Sequence, residues 1–334
     1  MKAVLFKNGL RLVDDYPEPS LKQGEALVRV NMAGVCGTDL EIIKGYRGFE
    51  GVIGHEFCGV VEAVKAKSPA GNRPEGSLVP VGTRVVAEIN CGCSWCEYCR
   101  HGIKNHCLNR TVIGIAGREG CMAEYVAVPL ENLYPVPDEA TDEEAIFTEP
   151  LAAAFEIMEQ VCLKPSDRVA VLGDGRLGIL SALVLNLTRA DVNLVGKHSQ
   201  KLAVASDQKV KTILLENLFA QKEAYEKNYD LVVEATGSLD GFELACALVK
   251  PRGKIVLKST TSGKAELSLT QLVVNEITAV GSRCGPFAPA LRALEEKAID
   301  VRPMISGRYK FEQALKAFEL CKSGDFLKML IDFR

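Results

Sequence analysis

Two rhythms of apolar and polar positions divide the chain near residue 150. Before it, short runs alternate with a period of two and stop at turn residues, as strands with one buried face do. KAVLF, LRLVDDYPEPSL and GEALVRVNMAGV fill residues 1–35, with Pro17, Pro19 and Gln23-Gly24 as breaks. FCGVVEAV and GTRVVAEI continue the pattern over 57–90, and GCMAEYVAVPLENLYPVP closes it. Lys65–Gly82, rich in Pro, Gly, Lys and Ser, reads as an exposed loop between strands. After residue 150, LAAAFEIMEQV has helical spacing, and strands are predicted at Arg168–Gly173, Asp191–Gly196, Val210–Leu215, Tyr229–Glu234, Gly253–Lys258 and Glu276–Gly281, with helical stretches between most of them. Alternating βα units imply a parallel sheet, because parallel strands need crossover connections. ALRALEEKAI and KFEQALKAFELCKSG then read as amphipathic helices and LKMLIDF as a closing strand, a segment expected to rejoin the first domain.

Composition narrows the function. A chain of 334 residues has length for two domains. A net charge of −3, from 40 basic and 43 acidic residues, argues against a nucleic-acid partner. No stretch approaches the roughly 18 apolar residues of a membrane helix, and MKAVLFKNGLRLVDD reads as neither export signal nor anchor. The expected location is the cytoplasm, where the twelve cysteines point to metal binding rather than disulfides.

Cys93, Cys96, Cys99 and Cys107 form the strongest metal signal, since four thiolates at this spacing close a tetrahedron around a structural zinc. Cys91 competes with Cys93 for the quartet, and His101 and His106 are substitutes to consider. A second candidate lies in Val35–Glu56, which brings Cys36, Thr38, His55 and Glu56 together among glycines. Two readings stay open for it: a catalytic zinc with mixed donors, or a buried cysteine beside a structural histidine. Glu149 either starts a helix or completes such a site, and Thr38 and Glu41 taken alone are ordinary turn and surface residues. Gly173-Asp174-Gly175-Arg176-Leu177-Gly178 follows a predicted strand and opens a helical run, the context of a dinucleotide fingerprint. About twenty residues on, where an acid would grip the ribose of NAD, stand Gly196, Lys197 and His198. The missing carboxylate and the two cationic or donor side chains favour NADP over NAD.

In this order CGTD at 36–39, GHEFCG at 54–59, the cysteine loop, AEYVAVP at 123–129, EPL at 149–151 and GDGRLG at 173–178 resemble the zinc-dependent medium-chain dehydrogenase/reductase superfamily, on its polyol and threonine dehydrogenase side. The resemblance implies an α/β protein: a GroES-like β-rich catalytic domain over 1–152 with a zinc loop at about 91–107, a doubly wound Rossmann parallel sheet over 153–283, and a return segment over 284–334. It implies a catalytic zinc on Cys36, His55 and Glu149, with Glu56 a nearby or exchanging ligand, and Thr38 passing the substrate proton outward. Glu41 replaces the histidine common in the family, so the onward path runs through Glu41, a cofactor ribose hydroxyl or water. The expected reaction is hydride transfer between a secondary alcohol or polyol and NADP or NAD, in a homodimer or homotetramer paired near Glu276–Gly281. The rivals are a nucleotide sensor or scaffold without turnover, and a zinc-independent reductase that would have no need of the ligand residues.

Overall fold

The computed structural model describes residues 1–65, 79–260, 269–324 and 326–334, so most of the expected Lys65–Gly82 loop lies outside the described residues. The chain divides into two compact units, Met1–Glu149 with Leu294–Glu296 and Ile305–Arg334, and Pro150–Ala293 with Lys297–Met304.

The first unit is built on a seven-stranded sheet in the order Leu133–Pro135, Arg84–Ala87, Glu56–Lys65, Glu25–Gly34, Lys328–Asp332, Ile305–Lys310, with Tyr125–Pro129 also pairing to Glu25–Gly34. Its core gathers Val28, Val30, Phe57, Val61, Val85 and Val126 from the first 130 residues with Phe311, Phe318, Met329 and Ile331 from the last thirty. Those late residues are in place because Lys328–Asp332 runs antiparallel to Glu25–Gly34, registering Ile331 on Ala33. The strand Ile305–Lys310, whose exposure alternates along ISGRYK, adds parallel to it. Two smaller sheets flank this one: Leu10–Val13, Ala3–Phe6 and Gly51–Val52, and the short pairings Asn90–Cys91, Thr111–Ile113 and Gly117–Arg118. The second of these frames the cysteine loop.

The second unit is a six-stranded, all-parallel sheet in the order Lys211–Leu214, Asp191–Gly196, Arg168–Leu172, Tyr229–Glu234, Val249–Leu257, Thr278–Gly281. Counted along the chain this is 3-2-1-4-5-6, the doubly wound order that binds dinucleotides beyond the strand C-termini. The inner strands RVAVL and DVNLVG are buried on both faces after their first residue, which is why they read as predominantly apolar runs, interrupted only by Asn193. The helix Phe287–Glu295 lies for the most part in this unit, although the sequence assigns it to the return segment. Only from Ile305 does the chain rejoin the first unit for good.

Candidate active site and metal centres

The sulfurs of Cys93, Cys96, Cys99 and Cys107 all lie within 4.8 Å of one another. Cys93 to Cys99 is 4.0 Å and Cys96 to Cys107 is 3.7 Å. A tetrahedron with Zn–S bonds of about 2.3 Å has edges of about 3.8 Å, so the quartet has the size of a structural zinc site. The Cys96 N–H donates to the Cys93 sulfur and the Cys93 N–H to that of Cys107, each at 3.4 Å. Desolvation works against ionisation of Cys93, yet the N–H groups of Trp95 and Cys96 with the neighbouring thiols bring its pKa down to about 6. Desolvation and the thiols of Cys96 and Cys107 push Cys99 up to about 12. One thiolate forms readily and the next resists, which is the condition a bound cation relieves. Cys91 stands apart: it is buried, its thiol faces the Ile89 carbonyl, and burial pushes its pKa up to about 11. His101 is engaged with the Glu97 carbonyl. None of the twelve cysteines is in a disulfide.

The second cluster joins Cys36, His55 and Glu56, with a donor atom from each also within 4.8 Å of the others. Cys36 caps the helix Gly37–Ile43, and Asp39, in its first turn, accepts the Cys36 N–H on Oδ2 at 2.8 Å. The other oxygen, Oδ1, faces His55 Nδ1 at 3.2 Å, with both side chains sealed from solvent and neither atom in a well-aligned hydrogen bond. A carboxylate behind an imidazole orients the ring and raises its basicity, as the outer partners of metal-bound histidines do. Burial lowers the His55 pKa, but Asp39 and Cys36 outweigh it and hold the ring well above the ordinary value. His55 ends the loop before the strand Glu56–Lys65, so Glu56 is that strand's first residue. Its Oε2 pairs with the Lys328 ammonium in a fully buried ion pair, and Lys328 also lies over the Phe147 ring at 5.5 Å. Gly34 makes room for that pair, since a β-carbon there would come within 2.8 Å of Glu56 Oε2.

The other candidates are placed less centrally. Thr38 Oγ1 is 3.8 Å from the Cys36 sulfur. Glu41 is partly exposed and paired with Lys44 at 2.8 Å, with no hydrogen bond to Thr38 among the described residues. Glu149 is half-buried at the second position of the helix Thr148–Gln160 and is not a member of the cluster. Asp39 and Lys328 were not singled out from sequence. The final residue of CGTD was a usable signal for Asp39, whereas nothing in LKMLIDF marks its lysine.

In the second unit the glycine-rich turn lies between the strand Arg168–Leu172 and the helix Arg176–Asn186, capped by Gly175. Gly173 adopts φ +112°, which side chains rarely tolerate, and a β-carbon on Gly178 would fall 1.9 Å from the Gly173 carbonyl. Asp174 reaches back across the turn, and its Oδ2 accepts the N–H groups of Lys197 (2.7 Å) and His198 (2.6 Å), with His198 Nδ1 at 3.0 Å.

Residues 22–138 match the Alcohol dehydrogenase GroES-like domain. Sorbitol dehydrogenase of Halalkalibacterium halodurans is 26% identical over 96% of this chain and 94% of its own. An alcohol dehydrogenase of Escherichia coli CFT073 complexed with NADH superposes with TM-score 0.87 at 27% identity, covering 100% of this chain and 99% of that one. A candidate zinc-binding dehydrogenase of Sinorhizobium meliloti 1021 bound to NADP gives 0.85 at 26%, covering 99% of each. The likeness to such dehydrogenases runs the full length of the chain and not only through the GroES-like part, and it indicates the zinc-dependent medium-chain dehydrogenase/reductase family.

Proposed function

We propose that the protein is a zinc-dependent, NAD(P)-linked dehydrogenase that interconverts a secondary alcohol or sugar-like polyol and its ketone. The observation carrying this reading is the meeting of a half-buried Cys36 with the buried His55 and Glu56, with Asp39 behind the imidazole. Sulfur, imidazole nitrogen and carboxylate oxygen are a donor set zinc accepts, and an apolar core gives no reason to bury them side by side. Cys36 and His55 would hold the ion, with the carboxylate of Glu149 or Glu56 as the third ligand. Zinc bound there would supply Lewis acidity toward an alcohol or carbonyl oxygen, and a bound dinucleotide would supply the hydride chemistry.

The remaining roles fall to the chain's own groups. Thr38 Oγ1, both donor and acceptor, takes the substrate's hydroxyl proton in oxidation and returns it in reduction. Because Glu41 is committed to Lys44 at the surface, the onward path uses water or a cofactor ribose hydroxyl. The helix beginning at Arg176 presents its N-terminal turn to the pyrophosphate, and the bare faces of Gly173 and Gly178 let backbone approach it closely. Whether NAD or NADP is preferred turns on residues 196–198 and Asp174. The reading also includes a cytoplasmic setting, in keeping with twelve cysteines outside any disulfide, and a homodimer or homotetramer joined through the edge strand Thr278–Gly281, whose residues are mostly exposed. No helix among the described residues is long and apolar enough to cross a membrane.

The test is turnover of polyols, sugars and simple secondary alcohols with both cofactors, in wild type, Cys36→Ser and His55→Ala. Wild type is expected to oxidise members of this panel, and both variants to lose nearly all turnover while still binding cofactor. Wild-type rates in either variant would falsify the zinc mechanism.

A further inference from the structure

The second strand of the parallel sheet ends at Gly196, which has no side chain to offer the adenosine ribose. The space such a side chain would use is nevertheless filled. A β-carbon on Gly196 would lie 2.4 Å from Asp174 Cβ, 2.8 Å from its Cγ and 2.7 Å from its Oδ2. We propose that Asp174, delivered by the glycine-rich turn instead of the strand end, is the carboxylate that reads the adenosine ribose, and that it fits the site to NAD rather than NADP. This rests on the dinucleotide reading of the fingerprint.

Three features support the assignment. Among the described residues, the hydrogen bonds made by this carboxylate all fall on Oδ2, from Lys197 N–H, His198 N–H and the His198 ring. They hold the group rigidly and leave Oδ1 with its acceptor capacity for a ribose hydroxyl. Secondly, the backbone N–H groups of Lys197 and His198 and the His198 ring are donors a 2′-phosphate could recruit, and Asp174 already occupies them. Thirdly, a fixed negative charge at this spot repels a phosphate and attracts a hydroxyl proton. Lys197 offsets this little, since its side chain is exposed and its charge is screened by water. The preference for NADP read from Gly196-Lys197-His198 treats the strand end as the sole source of an acid. The fold supplies one from 22 positions earlier in the chain.

Equilibrium binding of NADH and NADPH, and of ADP-ribose with and without a 2′-phosphate, tests this without turnover. The proteins are wild type, Asp174→Ala and Asp174→Asn, the last retaining an acceptor for the 197–198 N–H groups should the alanine variant fold poorly. Wild type is expected to bind NADH and ADP-ribose at least about tenfold more tightly than the 2′-phosphorylated forms, the scale of one charge-assisted hydrogen bond. In the variants that ratio should fall to about one or reverse, chiefly through weaker NADH binding in Asp174→Ala and stronger NADPH binding in Asp174→Asn. A wild-type preference for NADPH, or a ratio unchanged in both variants, overturns the role of Asp174 while leaving the dinucleotide reading intact. Failure to bind any of the four ligands overturns both.

Discussion

At the scale of single residues, the cluster is a lesson in what a side chain's chemistry announces. Cys36 and His55 are legible as ligand candidates because a thiol and an imidazole in a glycine-rich stretch are scarce, chemically specific signals. Glu56 is harder, because its neighbourhood depends on Lys328, 272 positions away. A lysine flanked by apolar residues in LKMLIDF reads as a solvent-facing interruption, yet its side chain is fully buried. Burying one charge demands the other. Lys328→Ala should therefore leave Glu56 buried and unpaired, costing about 3–5 kcal/mol in denaturant unfolding. The pair Glu56→Gln with Lys328→Met should cost clearly less than the single change. Equal losses would show that packing, not charge compensation, makes Lys328 matter.

At the scale of elements, long apolar runs and amphipathic helices declare themselves, while short polar strands do not. The six parallel strands fall close to where alternation of βα units places them. Ile305–Lys310 was missed because ISGRYK carries too few apolar residues to register as a strand. It exists through pairing with Lys328–Asp332 and through side-chain ties to the short helix Asp142–Ala145. Arg308 grips Glu143 with two bonds, at 2.5 and 2.7 Å, and its guanidinium holds the Glu143 carboxyl below the usual range. A carboxyl with a depressed folded pKa contributes stability above its unfolded value, near 4.3, and loses it as pH falls through the folded one. In wild type this contribution should be constant from pH 7 to 5 and fade below about 4. Glu143→Gln should be slightly less stable at pH 7 and converge on wild type at low pH. A stability difference that does not vary with pH would refute the linkage.

At the scale of the whole molecule, the two metal candidates differ in how they are made. The four-cysteine loop is local, spanning 93–107, and its composition alone reveals it. Metal analysis should find two zinc ions per chain, falling to one in Cys96→Ser and to one in Cys36→Ser. Proteolysis should cut Cys96→Ser first around residues 91–118, with dinucleotide binding in the other unit retained. A single zinc in wild type, or loss of both ions in either variant, would show that the sites are not independent as proposed. Sequence by itself determined the division into a β-rich part and a βα-alternating part, the thiolate quartet and the glycine-rich turn. These features are written in periodicity and in residues close along the chain. Tertiary structure decided the rest: that Glu56 meets Cys36 and His55 in one cluster, that Lys328 balances it, and that Asp174 fills the space beside Gly196. The physical reason is the same for all three. Electrostatic and steric contacts depend on distance in space, and only folding brings positions this far apart along the chain within a few ångströms.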